Sequence, residues 1–255
     1  ETFQPDGIVY VVGAPQELHF RQLFALARAM GFAEKTELMH VAFGSIFDTH
    51  GQTLSTRRGN MVYLEDLLND AVARARTILE EKKTDASEEE KTEIAEVVGI
   101  GAVIYNDLYQ PPQRNITLDW ERMLSTEGNS ATYLQYSHAR CRSILRRADI
   151  ASPSNISPGA ASPGLLVHAA EQQLLKHLAR LPEVVREAGR RYAPFVIAEW
   201  CYTTAREFGV FFEQCPVLKA ENDELRTARL ALVAATAQSL KNGLQLLGIK
   251  APERM

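Results

Sequence analysis

The chain has 255 residues, 45% of them hydrophobic, and a formal net charge of −4. That is enough apolar material to bury the core of one large or two smaller domains, and too acidic a balance for a histone-like binder, so any RNA partner must be met by a local basic face. Cys141, Cys201 and Cys215 are widely spaced without a CxxC pair, which supports neither a disulfide framework nor a cysteine zinc site and fits a reducing compartment.

No run approaches the roughly 20 apolar residues of a spanning helix. No basic-then-apolar leader opens the chain, and Glu1 reads as the middle of a running sequence, which predicts a fragment. Gly7 to Ala14, GIVYVVGA, is a β-branched apolar run closed by glycine, which predicts a strand buried on both faces of a parallel sheet. After Pro15, QELHFRQLFALARAMG carries Leu18, Leu23, Leu26 and Met30 at helical spacing until Gly31 stops it. A second apolar run, Leu38 to Gly44, completes strand, helix, strand, one right-handed crossover unit of an α/β sheet. One such unit does not close a doubly wound domain, so the rest of the sheet is expected before Glu1.

The loop GQTLSTRRGN, residues 51–60, gathers Thr53, Ser55, Thr56, Arg57 and Arg58 between two glycines. Arginine offers a planar fork of donors and a permanent charge, hydroxyls add short donors, and glycine lets the backbone approach a ligand closely. Two readings stand: a clamp for a phosphate chain, or a plain solvated loop. The pattern G-x-x-x-x-G-K-[ST] of a P-loop is absent.

From Leu64 the periodicity is helical: LEDLLNDAVARARTILEEKK, then SEEEKTEIAEVVGIGAVIYNDL with Ser87 and Glu90 as a capping box. QPPQRN breaks it. A longer helical series begins at Ser130, interrupted by the Ser/Pro/Gly-rich linker ASPSNISPGAASPG. The last helix is expected over about 221–247, with Leu225, Ala228, Leu232, Ala235, Ser239, Gly243 and Leu246 on one face, mixing leucine with small residues that permit close packing. Passing from βαβ to all helix within one chain predicts two domains, an α/β piece and a helical bundle.

Besides the Arg57–Arg58 loop, two groups of side chains carry candidate chemistry. Gln16, Glu17 and His19 follow the first strand, where ligands bind in open α/β sheets; alternatively Glu17 favours a helix N-terminus and His19 satisfies a local carbonyl. His40, inside an apolar run, reads as a satisfied core histidine, and the six histidines show no metal-ligand spacing. In NSATYLQYSHARCRSILRRA, residues 129–148, Tyr133, Tyr136, Arg140, Ser143 and Arg147 share one helix face, while Leu134, Cys141, Leu145 and Ala148 share another. The second face is core. The first alternates rings that stack on unpaired bases with guanidinium groups that neutralise phosphates, or else packs its tyrosines between helices and leaves its arginines solvated.

In this order, YVVGAPQELHFRQLF, HVAFGSIFDTHGQTLSTRRGN, LEDLL, VGIGAVIYNDL, LDWERMLSTEGNSATYLQYSHARCRSILRRA and the closing PERM resemble arginyl-tRNA synthetase, a class I aminoacyl-tRNA synthetase, over essentially the whole chain. The block WERMLSTEGNSATYLQYSHARCRSIL is the specific part. The resemblance implies a partial Rossmann-type class I catalytic domain over residues 1–125, followed by an all-α anticodon-binding domain over 126–255. It implies a cytoplasmic enzyme that activates arginine with ATP and Mg²⁺ and transfers it to tRNA(Arg), with neither DNA nor membrane as partner. A stand-alone tRNA-binding or regulatory paralogue is the alternative.

By the same resemblance, TLSTRRG stands where class I enzymes carry the KMSKS-type loop. Thr53 and Thr56 replace its two lysines, so Ser55, Arg57 and Arg58 become the residues expected to stabilise the transferring phosphates, a task that needs a positioned cation more than a particular residue type. Gln16, with His19 nearby, belongs to the arginine pocket; Gly13, Val41 and Phe43 line the adenosine side; Tyr133, Tyr136, Arg140 and Met255 face the anticodon loop. The HIGH-type signature, and the tyrosine and aspartate that complete the arginine pocket, find no match here, so the chain by itself is not expected to activate arginine.

Overall fold

The computed structural model describes residues 5–32, 34–52, 63–81, 86–150 and 163–255. Ser55, Arg57 and Arg58 lie outside the described residues, as do residues 151–162 of the Ser/Pro/Gly linker, whose last two residues enter a 3-10 turn, Pro163–Leu165. The chain divides into two compact units, one formed by residues 1–61 with 110–118, the other by 62–109 with 119–255.

In the first unit β1 (Gly7–Gly13) pairs in parallel with β2 (Glu37–Phe43), Gly7 opposite Glu37 and Gly13 opposite Phe43. A 3-10 turn, Ala14–Gln16, leads into α1 (Glu17–Ala29), which ends before Gly31 at φ +74°. The helix buries Phe20 and Phe24, both against Tyr10 with centroids 5.0 and 5.5 Å away. Phe20 also stacks on His40 at 4.7 Å. The His40 Nε2 lies 2.9 Å from the Val12 carbonyl oxygen, which satisfies the ring as the apolar run implied.

One expectation is corrected here, and α1 buries a face that its leucine spacing does not mark. The spacing of Leu18, Leu23, Leu26 and Met30 marks a face of α1 that is exposed, because the aromatic partners on β1 and β2 select Phe20 and Phe24 instead. Nor is β1 buried on both faces. Tyr10 faces α1, alternation puts Val9 and Val11 on the opposite side, and Val11 is 64% exposed because no described element of this unit covers it.

A second parallel pair escaped the sequence reading: β3 (Ile46–Phe47) against β4 (Ile116–Thr117). Asn115 Oδ1 accepts the Ser45 N–H at 2.9 Å, and the Gly44 N–H donates to the Pro112 carbonyl at 2.8 Å. A Cβ at Gly44 would land on the Arg114 carbonyl, so glycine is required by the close approach.

The second unit is helical: α2 (Leu64–Glu81), α3 (Glu88–Leu108), the short α4 (Trp120–Met123), α5 (Ala131–Arg147), α6 (Ala169–Ala179), α7 (Leu181–Arg191), α8 (Phe195–Gln214) and α9 (Asp223–Leu246). The capping box at the start of α3 forms as expected, Glu90 N–H to Ser87 Oγ at 3.2 Å and Ser87 N–H to Glu90 Oε2 at 2.9 Å. Leu134, Cys141 and Leu145 on α5 are fully buried among α3, α8 and α9.

On α9 the expected stripe is only partly right. Ala228, Leu232 and Gly243 are buried, but Ala235 and Leu246 are exposed. The helix is wedged among α5, α6 and α8, so its buried arc widens to Leu230, Val233, Ala237, Leu240 and Leu244. Glu171, fully buried on α6, accepts from Arg229 Nε at 2.7 Å and from the His168 N–H at 2.9 Å.

Candidate functional site

The carboxyl ends of the parallel strands gather one set of residues. Gly13 closes β1 opposite Phe43, which closes β2, and Val41 pairs with Val11 two positions earlier. By strand alternation Gly13, Val41 and Phe43 share the sheet face that α1 leaves open. Gln16 is exposed at the N-cap of α1 with its side chain unused for capping. Ligands of open α/β sheets bind at this end of the strands. His19, also exposed, lies one turn into α1 with its ring edge-on to Phe20 at 5.4 Å.

After β3 the turn over 48–52 is held by Asp48, whose Oδ1 accepts the N–H groups of His50 at 2.9 Å and Gln52 at 2.7 Å. Gly51 supplies the positive φ of +75° in that turn. Asp48 was not among the residues singled out in the sequence, although an Asp followed three residues on by Gly is a turn signal.

The second set lies on the helical unit. Ser130 caps α5 by accepting the Tyr133 N–H at 3.0 Å, and the helix then presents Tyr136, Arg140 and Arg147 to solvent. The Arg140 guanidinium lies over the Phe212 ring at 4.5 Å and the Tyr136 ring at 5.9 Å. These residues, with Ser143, Arg146, Arg254 and Met255, line a surface depression of about 490 Å³. Structure therefore brings Tyr136, Arg140 and Met255 together. Tyr133 is placed differently, half-buried and edge-on to Tyr202 at 6.0 Å. That burial, with Tyr202 alongside, pushes its hydroxyl above the ordinary tyrosine range.

Phe212 and the strip Gln135, His138, Arg142 and Arg146 were missed. Phe212 comes from a helix distant in sequence, but the polar strip recurs at i, i+3, i+7 and i+11 and was open to view. It receives the segment 249–255: Gln135 Nε2 donates to the Lys250 carbonyl at 3.0 Å, and His138 Nδ1 lies 2.9 Å from the Pro252 carbonyl oxygen. Arg142 Nε donates to Glu253 Oε2 at 2.5 Å, and Arg146 Nη1 to the Glu253 carbonyl at 2.9 Å. Desolvation works to raise the Glu253 carboxyl, but the Arg142 bond and the charges around it outweigh this and hold it below the usual carboxylate range.

Among the described residues, no group of three His, Cys, Asp or Glu side chains could hold a metal ion, and no helix is long and apolar enough to cross a membrane. The three thiols are free and buried; burial pushes that of Cys201 up to about 12, and those of Cys141 and Cys215 up as well.

Comparison with known proteins bears on both sets. Residues 1–120 match the family model of the tRNA synthetases class I (R) catalytic domain, and residues 134–255 that of the DALR anticodon binding domain. An arginine–tRNA ligase of Chloroflexus aurantiacus is 68% identical over 255 residues, covering 100% of this chain and 44% of the relative. The arginyl-tRNA synthetase structure of Thermus thermophilus superposes with a TM-score of 0.82 at 32% identity, over 98% of this chain and 41% of that one. That of Plasmodium falciparum does so with a TM-score of 0.82 at 27% identity, over 98% and 41%. The chain thus spans under half the length of the relatives it matches. An α/β unit with an open sheet face and a helical unit with an aromatic and guanidinium face go with a likeness, along the whole chain, to part of the class I arginyl-tRNA synthetases.

Proposed function

We propose that the chain is part of an arginine–tRNA ligase, which activates arginine with ATP to arginyl-adenylate and then transfers the arginyl group to tRNA(Arg). The observation that carries this reading is the 68% identity, end to end, with a protein described as an arginine–tRNA ligase. The working division falls at 125/126, with catalytic-domain sequence before it and the anticodon-binding domain after it, in keeping with family matches over 1–120 and 134–255.

In this reading the exposed amide of Gln16, with His19 beyond it, recognises arginine at the carboxyl end of β1. Gly13 lets adenosine approach the backbone, against Val41 and Phe43. Ser55, Arg57 and Arg58 face the phosphates and stabilise the leaving pyrophosphate, with Mg²⁺ entering as the counter-ion of ATP. Tyr136, Arg140 and Met255, with Tyr133 at the edge, meet the unpaired bases of the anticodon loop by stacking and charge. The partners are thus tRNA(Arg), arginine and ATP, and the compartment is the cytoplasm, which suits three free thiols.

The uncovered side of β1 supports a sheet that is larger in the whole enzyme. The chain by itself is therefore inactive in adenylate formation. ATP–pyrophosphate exchange with arginine tests this: the expected result is a background rate for this chain, and turnover well above background refutes it.

A further inference from the structure

We propose that Gln135, His138, Arg142 and Arg146 are positioning residues that lay the segment Ile249–Met255 along α5 and so set Met255 beside Tyr136 and Arg140. The proposal rests on reading that face as an RNA surface. At about 100° per residue the four side chains fall within about 80° of one another, and Tyr136 follows about 100° further round the helix. One face holds the segment and the adjoining face presents the rings.

Burial argues for a dedicated role. Gln135, His138 and Arg142 are 0%, 1% and 8% exposed, a location where apolar side chains would fill the space without desolvating polar groups. Gln135 and His138 reach the Lys250 and Pro252 carbonyls and Arg142 the Glu253 carboxylate, while Gln135 also donates to the Val97 carbonyl of α3 at 3.0 Å. Bonds to carbonyls fix the path of a chain whatever its side chains are. Space for the first bond comes from Gly101 on α3, where a Cβ would stand 2.8 Å from Gln135 Nε2.

The test measures affinity for a tRNA(Arg) transcript together with the methyl NMR signal of Met255, assigned by its loss in Met255→Leu. Arg142→Met is expected to weaken binding about tenfold, the scale of one charge-assisted contact, and to move the Met255 signal toward its denatured position. In a chain shortened to end at Pro252, binding is already about tenfold weaker and Arg142→Met adds nothing further, since it acts through the missing residues. Glu253→Gln breaks the same pair from its exposed side and carries the same expectation if Arg142→Met does not fold.

An additive second loss would make Arg142 a direct RNA contact and overturn the proposal. So would a Met255 signal that stays in place. If the unaltered chain binds no tRNA, the RNA reading fails and the positioning role fails with it; a Met255 signal that still responds to Arg142→Met would then show the strip to be fold support alone.

Discussion

The guanidinium of Arg140 on α5 lies 4.5 Å from the ring centroid of Phe212 on α8 and 5.9 Å from that of Tyr136. One cation is held between two rings at the surface, ready to offer charge and a planar face together. Tyr136→Ala and Arg140→Ala are each expected to weaken tRNA binding about tenfold, since base stacking on an aromatic is worth about 1–3 kcal/mol. Arg140→Ala alone should also flatten the salt dependence by about one phosphate contact. Both variants keep the helical signature in circular dichroism. Unchanged affinity in a folded variant would assign the face to protein assembly.

The Glu171–Arg229 pair is buried on both sides, with side chains 1% and 12% exposed. Removing one partner strands the other charge away from water, which costs about 3–5 kcal/mol. Glu171→Ala should therefore lower the urea midpoint steeply. A loss under about 1 kcal/mol, the scale of an exposed pair, would mean that water reaches Arg229.

Two helical glycines should respond with opposite signs. At Gly99 on α3, an added Cβ would stand 2.6 Å from the Val72 nitrogen and 2.7 Å from the Ala71 carbonyl carbon of α2, and backbone cannot rotate aside. Alanine gains about 1 kcal/mol of helix propensity, but overpacking costs about 1–3 kcal/mol, so Gly99→Ala destabilises. Gly209 on α8 has nothing within 4 Å of its Cβ position, so Gly209→Ala keeps the propensity gain and stabilises by up to about 1 kcal/mol. Thermal unfolding of the pair checks both signs.

Burial holds His138 below the ordinary imidazole range, against the opposing pull of the Pro252 carbonyl and Glu253. A histidine that is harder to protonate when folded binds fewer protons than the unfolded chain, so stability rises with pH across that interval. The helical unit should accordingly lose stability as pH falls below about 6.5, the unfolded value. In His138→Gln this component should vanish from the plot of denaturant midpoint against pH. An identical pH slope in the two proteins would locate the effect in other histidines.

Much of this was open to the sequence. The two apolar runs pointed to β1 and β2, the Ser87–Glu90 spacing to the start of α3, and 100° periodicity separated the Leu134–Cys141–Leu145 core of α5 from the Tyr136–Arg140 face. What stayed hidden depends on partners far along the chain. Phe20 and Phe24 displace the leucines as the buried face of α1 because Tyr10 and His40 meet them. Two-residue strands such as β3 and β4, about 70 positions apart, carry no period to detect. The strip Gln135–His138–Arg142–Arg146 had a clear period, but polar residues on a helix read as a wet face until a second segment lies against them.

The central claim, that the helical unit reads tRNA(Arg), is tested most directly by titrating this chain with tRNA(Arg) transcript and with a non-cognate tRNA across a range of salt concentrations. The account predicts a preference for the cognate transcript, with affinity that weakens as salt rises because phosphate contacts carry much of it. Equal binding of both transcripts, or no binding by a chain shown to be folded, would contradict it.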